Sequence, residues 1–252
     1  MKKLCIDIGN TMTDIGIIDT KSFSCLAMRK LPTSMLIERI DNTLADLPAD
    51  TTRSLDVTVC SVVPLVEKTL LHILREQPFV RKVSTFATNG HFPFAIHYED
   101  PIVLGKDRIA NALYAHFRYP RKCVIIIDAG TTITVDLLDP AKGFVGGMIM
   151  PGLNMQLQSL HNGTAALPSV SKFQDFNYPG FSTLSCMQLG VLYSCSGGVQ
   201  KVVQWCREHY GQDFCAVACG GNWPQIQPLV NEDITYEAGL TLIGISLFDY
   251  QL

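Results

Sequence analysis

The chain has 252 residues, of which 47% are hydrophobic and 17% charged, so it has ample core material for one large domain or two smaller ones, and extensive disorder is excluded. Its formal net charge of −3 gives no electrostatic basis for binding nucleic acid or an anionic membrane. The apolar runs are too short for a membrane span or for a signal-peptide core. We therefore expect no nucleic-acid partner and no membrane partner.

The nine cysteines show no Cys-x-x-Cys spacing, and several of them lie within apolar, strand-like runs, among them Cys5, Cys60 and Cys123. Buried free thiols explain this pattern better than disulfides or a zinc site. Such thiols are typical of a reducing compartment. We therefore predict a cytoplasmic protein.

The first apolar run stops at Asp7, which is followed by Gly9, Thr11 and Thr13. This pattern predicts a β-hairpin with a tight turn. Turn N–H groups and threonine hydroxyls can cradle phosphate oxygens. An aspartate beside phosphates needs a mediating cation such as Mg²⁺, because two anions repel. Ordinary turn chemistry without a ligand is the alternative.

Strand and helix patterns alternate after this hairpin. Apolar residues at helical spacing predict an amphipathic helix over residues 33–47, and residues 55–63 read as a strand. Pro64 suits the first turn of a helix that runs to about Glu76. This order predicts an α/β lobe.

A loop-like segment over residues 91–104 precedes Gly105, Lys106, Asp107 and Arg108, and a buried helical face follows. The spacing places Asp107 and Arg108 in the first turn of that helix. An aspartate there complements the helix dipole whether or not it does chemistry, so both interpretations stay open. The arginine opposes the dipole and is less easily explained by structure alone.

The pattern of the first hairpin recurs at Asp128, Gly130, Thr132 and Thr134, and the two aspartates lie 121 residues apart. The repeat predicts two similar lobes, an N-terminal lobe over residues 1–117 and a C-terminal lobe over residues 118–252. Chance turn chemistry is a weaker explanation for two copies than for one.

The second half continues with a glycine-rich bend at residues 146–152, which we expect to begin a helix to about His161. Residues 186–207 read as a helix, residues 214–218 as a strand, and residues 237–247 as a buried helix. The long helix carries a stripe of small residues, Ser194, Ser196, Gly197 and Gly198. The backbone at residues 219–222 could lie against a flat ligand.

Several of these segments resemble the motifs of one family. Residues 7–11, 101–108 and 128–136 match the first phosphate motif, the Pro-x-x-x-Gly-x-Asp-Arg substrate motif and the second phosphate motif of type III pantothenate kinases, members of the actin and sugar kinase superfamily. The resemblance covers almost the whole chain. It implies an α/β fold of two similar lobes of actin/ribonuclease H-like type with an ATP cleft between them.

Two positions depart from the family pattern. Thr132 replaces a usual alanine, which adds only a hydroxyl group. Residues 218–221 read Ala-Cys-Gly-Gly where Thr-Gly-Gly is common, which leaves the contacts to the nucleotide base open.

The implied activity is the ATP-dependent phosphorylation of pantothenate to 4'-phosphopantothenate, the first step of coenzyme A biosynthesis, by a homodimer. The small-residue stripe of the long helix is expected to contribute to the dimer interface, although it could equally pack within one subunit. Asp107 would accept the proton, Asp128 would hold a monovalent cation (K⁺ or NH₄⁺), and Asp7 would hold Mg²⁺ through phosphates or water. The residues implied for pantothenate are Tyr98, Gly105, Lys106, Asp107, Arg108 and Thr183. Those implied for ATP are Asp7, Ile8, Gly9, Asn10, Thr11, Met12, Thr13, Asp14 and Thr131.

Two other functions remain in competition. A phosphatase or polyphosphatase of the same superfamily would use a carboxylate to activate water, but residues 105–108 match the pantothenate family specifically. A non-catalytic nucleotide-binding regulatory protein is the second, and the presence of all three key aspartates (Asp7, Asp107 and Asp128) argues against it.

Overall fold

The computed structural model describes residues 2–47, 55–170, 173–174, 177–211 and 213–248. Within these ranges the chain forms two mixed sheets of five strands each. The helices are α1 (Leu36–Ala45), α2 (Pro64–Arg75), α3 (Lys106–Arg118), α4 (Leu153–Asn162), α5 (Thr183–Tyr210), α6 (Trp223–Ile226) and α7 (Leu240–Ser246). Short 3-10 turns cover Thr33–Met35, Pro101–Val103 and Gln227–Leu229.

The first sheet has the strand order β3-β2-β1-β4-β5. Its strands are β1 (Lys2–Ile8), β2 (Met12–Asp19), β3 (Ser24–Pro32), β4 (Leu55–Ser61) and β5 (Val80–Thr85). Strand β1 is central, because it pairs antiparallel with β2 on one side and parallel with β4 on the other. The predicted hairpin at Asp7 is therefore confirmed, and Asp7 lies near the carboxyl end of the central strand.

The second sheet repeats this arrangement with the order β10-β9-β6-β7-β8. Its strands are β6 (Cys123–Ala129), β7 (Thr132–Asp139), β8 (Gly143–Pro151), β9 (Phe214–Cys219) and β10 (Thr235–Tyr236). Strand β6 pairs antiparallel with β7 and parallel with β9, as β1 does with β2 and β4. The same order of strands in both sheets confirms the duplication that the two aspartate motifs predicted.

Apolar side chains on each sheet and its helices form two separate cores. In the first, Leu36, Ile40 and Leu44 of α1 pack with the sheet, which confirms the helix predicted from their spacing. Pro64 begins α2 as predicted, since its ring fixes a helical φ and its missing N–H would be unpaired there anyway. In the second core, α5 buries residues such as Val199 and Val203.

Two compact units account for the chain. One comprises Met1–Arg121, Ala141–Val145 and Gly239–Leu252, and the other comprises Lys122–Pro140 and Gly146–Ala238. Helix α7 thus packs in the first unit although it follows the residues of the second unit in the chain. At its crossing with α3, a Cβ on Gly244 would collide with the backbone of Ala110. The division into lobes at residues 117 and 118 stays a prediction.

Three local predictions differ from the structure. Residues 146–152 were expected to form a bend, but strand β8 extends to Pro151 before α4 begins. The last helix starts only at Leu240, because the Glu237 N–H still donates to the Ala218 carbonyl of β9 at 2.9 Å. On α5, Ser196 is buried and Gly198 packs against Met150, so these two residues do not share an exposed stripe with Ser194 and Gly197.

The cysteines are free thiols, and Cys5, Cys60 and Cys123 are buried as predicted. Burial raises the pKa of the Cys5 and Cys123 thiols to about 12 in each case. Among the described residues, no helix combines the length and the hydropathy needed to cross a membrane.

Candidate active site

The turn of the first hairpin is closed by its own backbone and braced by Thr33. The Gly9 N–H donates to the Met12 carbonyl at 3.0 Å, while the Thr33 hydroxyl donates to the Gly9 carbonyl at 2.7 Å and the Thr33 N–H donates to the Thr11 carbonyl at 3.0 Å. Asn10 and Thr11 at the tip are exposed. Thr33 was not predicted, because its partners lie more than 20 residues earlier and no local pattern marks it.

Two of the residues predicted to contact ATP have buried side chains. Ile8 belongs to the hydrophobic core, and the Thr13 hydroxyl lies 3.0 Å from that of Thr33. Only backbone groups of Ile8 and Thr13 remain for a ligand. Met12 is partly buried beside them.

Two carboxylates face each other across this hairpin. Asp7 and Asp14 are directly paired residues of β1 and β2, so their side chains lie on the same face of the sheet. The Asp14 Oδ2 accepts from the Lys30 ammonium at 3.0 Å, whereas its Oδ1 is buried with no hydrogen-bond partner in the described part of the chain. Like charges at directly opposite positions are destabilising unless a cation offsets them.

The aspartate of the substrate motif lies in the first turn of α3, as predicted. Its Oδ1 accepts a hydrogen bond from the Arg108 N–H at 2.8 Å. A Cβ on Gly105 would stand 2.5 Å from this oxygen, so glycine at that position leaves room for the carboxylate. The Asp107 side chain is partly exposed.

The neighbouring arginine is buried between aromatic rings. The Arg108 guanidinium lies 5.6 Å from the ring centroid of Tyr98 and 5.7 Å from that of Phe144, and Nη1 is 3.5 Å from the Tyr98 hydroxyl. Backbone pairing holds Tyr98 in place, since Ile96 bridges to Phe144 and the His97 N–H donates to the Phe144 carbonyl at 2.8 Å. The Arg108 side chain is thus pre-oriented by cation–π contacts.

Charged groups of three elements surround the buried thiol of Cys60, which pairs with Asp7 across β1 and β4. Burial is the main cause that raises the pKa of this thiol; the carboxylates of Asp7, Asp107 and Glu67 raise it further, and Lys106 lowers it. Lys106 in turn pairs with Glu67 of α2 at 3.7 Å. The first hairpin and the substrate motif, far apart in sequence, therefore meet around Cys60.

The second hairpin has an equivalent turn, held by different partners. Asp128 lies near the end of β6, and the Gly130 N–H donates to the Thr132 carbonyl at 2.9 Å. The Gly152 N–H donates to the Thr131 carbonyl at 3.0 Å, and a Cβ on Gly152 would lie 2.6 Å from the Gly130 carbonyl oxygen. The turn thus rests directly on the backbone that begins α4.

A loop after β9 supports the same turn. The Asn222 N–H donates to the Ala129 carbonyl at 2.9 Å, and its side-chain amide donates to the Gly130 carbonyl at 2.7 Å. Gly220 has a φ of +87°, and a Cβ there would collide with the Ala129 backbone. Asn222 lies in the 219–222 segment that the sequence predicted as a ligand surface, but its support of the second turn was not predicted.

The structure brings the predicted site residues together in two groups. Asp7, Lys106 and Asp107 are neighbours around Cys60, and Tyr98 lies beside Arg108. Asp128 and Thr131 belong to the second hairpin. Thr183 stands on another element, at the exposed first position of α5, directly after the Ser182 side chain that caps the helix.

Two sheets of one topology, each with a hairpin turn that follows an aspartate, are the arrangement of the actin and sugar kinase fold class. Solved structures support this fold. A Campylobacter jejuni protein described as a Baf family transcriptional activator matches with a TM-score of 0.58 at 18% identity, covering 97% of this chain and 96% of its own. A Sinorhizobium meliloti protein described as a 2-dehydro-3-deoxygalactonokinase matches with a TM-score of 0.55 at 12% identity, covering 97% of each chain.

Comparison of the sequence with known families identifies the family. The model of the type III pantothenate kinase family matches residues 3–205. A type III pantothenate kinase of Methylacidiphilum infernorum is 31% identical over 97% of this chain and 86% of its own length. The chain belongs to the type III pantothenate kinase family, and the predicted family and fold class are confirmed.

Proposed function

We propose that this protein transfers the γ-phosphoryl group of ATP to the primary hydroxyl of pantothenate, giving 4'-phosphopantothenate and ADP in the first step of coenzyme A biosynthesis. Family membership supports the substrate, and the placement of Asp107 supports the chemistry. Its carboxylate stands at the start of α3, close to the first hairpin through the shared neighbour Cys60. Phosphoryl transfer needs mainly positioning, charge neutralisation and a carboxylate that accepts the proton of the attacking hydroxyl.

In this proposal the turn of the first hairpin binds the ATP phosphates through backbone N–H groups and the exposed side chains of Asn10 and Thr11. Thr131 contributes from the tip of the second hairpin, where it is also exposed. Ile8 and Thr13 would act through their backbone only, because their side chains are buried.

Mg²⁺ fits the face of the first hairpin that carries Asp7. Asp14 lies directly opposite, with one buried carboxylate oxygen that has no hydrogen-bond partner among the residues the structure describes. Two carboxylates are the usual protein contribution to a Mg²⁺ site, and substrate phosphates and water supply the rest. In the second hairpin, the Asp128 carboxylate would bind a monovalent cation, K⁺ or NH₄⁺.

Pantothenate would be held by the substrate motif. Arg108 offers a guanidinium whose orientation is set by Tyr98 and Phe144, and a guanidinium can bind a carboxylate bidentately. Gly105 leaves space beside the Asp107 carboxylate, and the adjacent Lys106 pairs with Glu67. Thr183 is proposed as a further substrate contact.

We also propose a cytoplasmic homodimer that associates through α5. Gly190, Ser194 and Gly197 lie on the exposed side of this helix, one to two turns apart. A Cβ added at Gly190 or Gly197 would meet no atom of the described residues within 4 Å, so a second backbone could approach closely there.

Measuring ATP consumption by the purified protein with and without pantothenate tests the activity. The kinase predicts turnover that depends on pantothenate and yields ADP and 4'-phosphopantothenate in equal amounts. Turnover without pantothenate would instead indicate a hydrolase, and nucleotide binding without turnover would indicate a regulatory protein.

A further inference from the structure

Three neighbouring parallel strands of the second sheet end at the same edge. Asp128 on β6 is paired with Cys219 on β9, and Ala218 on β9 is paired with Tyr236 on β10. The second hairpin, the loop after β9 and Tyr236 are therefore brought side by side. In open α/β sheets, ligands bind outside the carboxyl ends of the parallel strands.

The loop after β9 presents bare backbone at this edge. Gly220 is fixed against Ala129 in a conformation that favours glycine, with φ at +87°. At Gly221, a Cβ would find no atom of the described chain within 4 Å, so its backbone borders open space. Asn222 ties the loop to the Gly130 carbonyl. The result is a fixed backbone surface next to the second hairpin.

Tyr236 stands beside this surface. Its hydroxyl donates to the Gly220 carbonyl at 3.5 Å, and 40% of the residue remains exposed. Trp223 is buried in the hydrophobic core of this unit, and Phe214 is partly buried and packs against it. Tyr236 does not belong to this core. An exposed ring at a ligand-binding edge is a surface on which a flat, aromatic group can stack.

We propose that Tyr236 stacks on the nucleobase of the bound nucleotide and supplies base affinity that the altered Ala-Cys-Gly-Gly sequence of the loop does not. This inference rests on the proposed kinase function for the identity of the ligand. It assigns Tyr236 to nucleotide binding, not to proton transfer, so the residue acts on affinity for ATP and ADP while Asp107 acts on turnover.

The test compares a ligand that has a base with one that lacks it. Binding of Mg²⁺–ADP and of inorganic tripolyphosphate is measured by calorimetry for wild type, Tyr236→Phe, Tyr236→Leu and Tyr236→Ala. Loss of a base–aromatic stack should weaken ADP binding by about 5- to 100-fold in the Ala variant. Tripolyphosphate binding should not change, and Tyr236→Phe should keep wild-type affinity for ADP because it keeps the ring.

Trp205→Ala is the matched control, since it removes another exposed aromatic residue of the same unit, on α5, that we place outside the site. Two results for Tyr236→Ala would overturn the proposal: unchanged affinity for ADP, or an equal loss of affinity for ADP and for tripolyphosphate. Wild-type affinity for ADP in Tyr236→Leu would overturn it as well. Pantothenate is absent from these measurements. A wild-type protein that binds ADP through Tyr236 but shows no pantothenate-dependent turnover would refute the kinase function and leave the stacking intact.

Discussion

The substitution Asp107→Asn separates a structural role of this residue from a chemical one. Asn keeps a side-chain oxygen at the position from which Asp107 Oδ1 accepts the Arg108 N–H at 2.8 Å. The substitution removes the negative charge from the first turn of the helix, and such a charge stabilises the folded state by about 0.3–1 kcal/mol. Since Asp107 is partly exposed, we expect the lower part of this range.

The chemical role predicts a much larger effect on the rate. A positioned general base contributes about 10²- to 10⁴-fold, and the amide of Asn cannot accept the proton of the pantothenate hydroxyl. Each factor of ten corresponds to about 1.4 kcal/mol of barrier, so the loss is about 3–5.5 kcal/mol. A purely structural role predicts no such loss of rate, so the turnover of one variant decides between the two roles.

The assay measures kcat with saturating ATP and pantothenate, together with the melting temperature and the affinity for ADP. Asp100→Asn is the matched control, because the Asp100 Oδ1 likewise accepts a helix-start N–H, that of Ile102 at 3.0 Å, in the same unit. We expect both variants to fold and bind ADP, and only Asp107→Asn to lose turnover. An Asp107→Asn enzyme that binds both substrates and turns over like wild type would remove Asp107 from the mechanism.

Four further outcomes are expected. Asp128→Ala should weaken ATP binding and abolish the rate increase on adding K⁺ or NH₄⁺; full wild-type activity with Mg²⁺ and only bulky organic cations would contradict the cation site. Gly152→Ala should raise the KM for ATP and cost about 1–3 kcal/mol in chemical denaturation, because its methyl group would displace the second turn; an unchanged KM would refute this. Light scattering should give twice 27.8 kDa for wild type and 27.8 kDa for Gly197→Leu, so a wild-type monomer at micromolar concentration would exclude the dimer. At pH 7 a thiol reagent should label exposed Cys186 and spare Cys5, whose pKa is raised to about 12 by burial; mass mapping that finds Cys5 labelled first would contradict the burial.

Features set by neighbouring residues could be predicted from the sequence. The two hairpins follow from an apolar run, an aspartate and a glycine turn, and α3 follows from apolar spacing, so the helix-start position of Asp107 was predicted correctly. The two hairpins (Lys2–Asp19 and Cys123–Asp139) and α3 each span about 18 residues or fewer, the range over which periodicity is informative.

Features set by distant contacts could not be predicted. Strand β8 reads as a glycine-rich bend, and only its place at the edge of the second sheet makes it a strand. Thr33 braces a turn 24 residues earlier, and Arg108 is oriented by Phe144, which lies well beyond it in the chain. Helix α7 packs on α3 at Gly244, and no local sequence pattern predicts this contact.

The carboxylates around Cys60 support the proposal that the reaction uses added cations. Asp7, Asp107 and Glu67 bring three carboxylates near this thiol, and Lys106 brings one ammonium that is already paired with Glu67. A nucleoside triphosphate bound at this hairpin would add further negative charge beside these carboxylates. In the proposed reaction, metal ions would neutralise the phosphates and offset these carboxylates. The buried Oδ1 of Asp14, which has no hydrogen-bond partner among the described residues and belongs to the residue directly across from Asp7, fits such an ion.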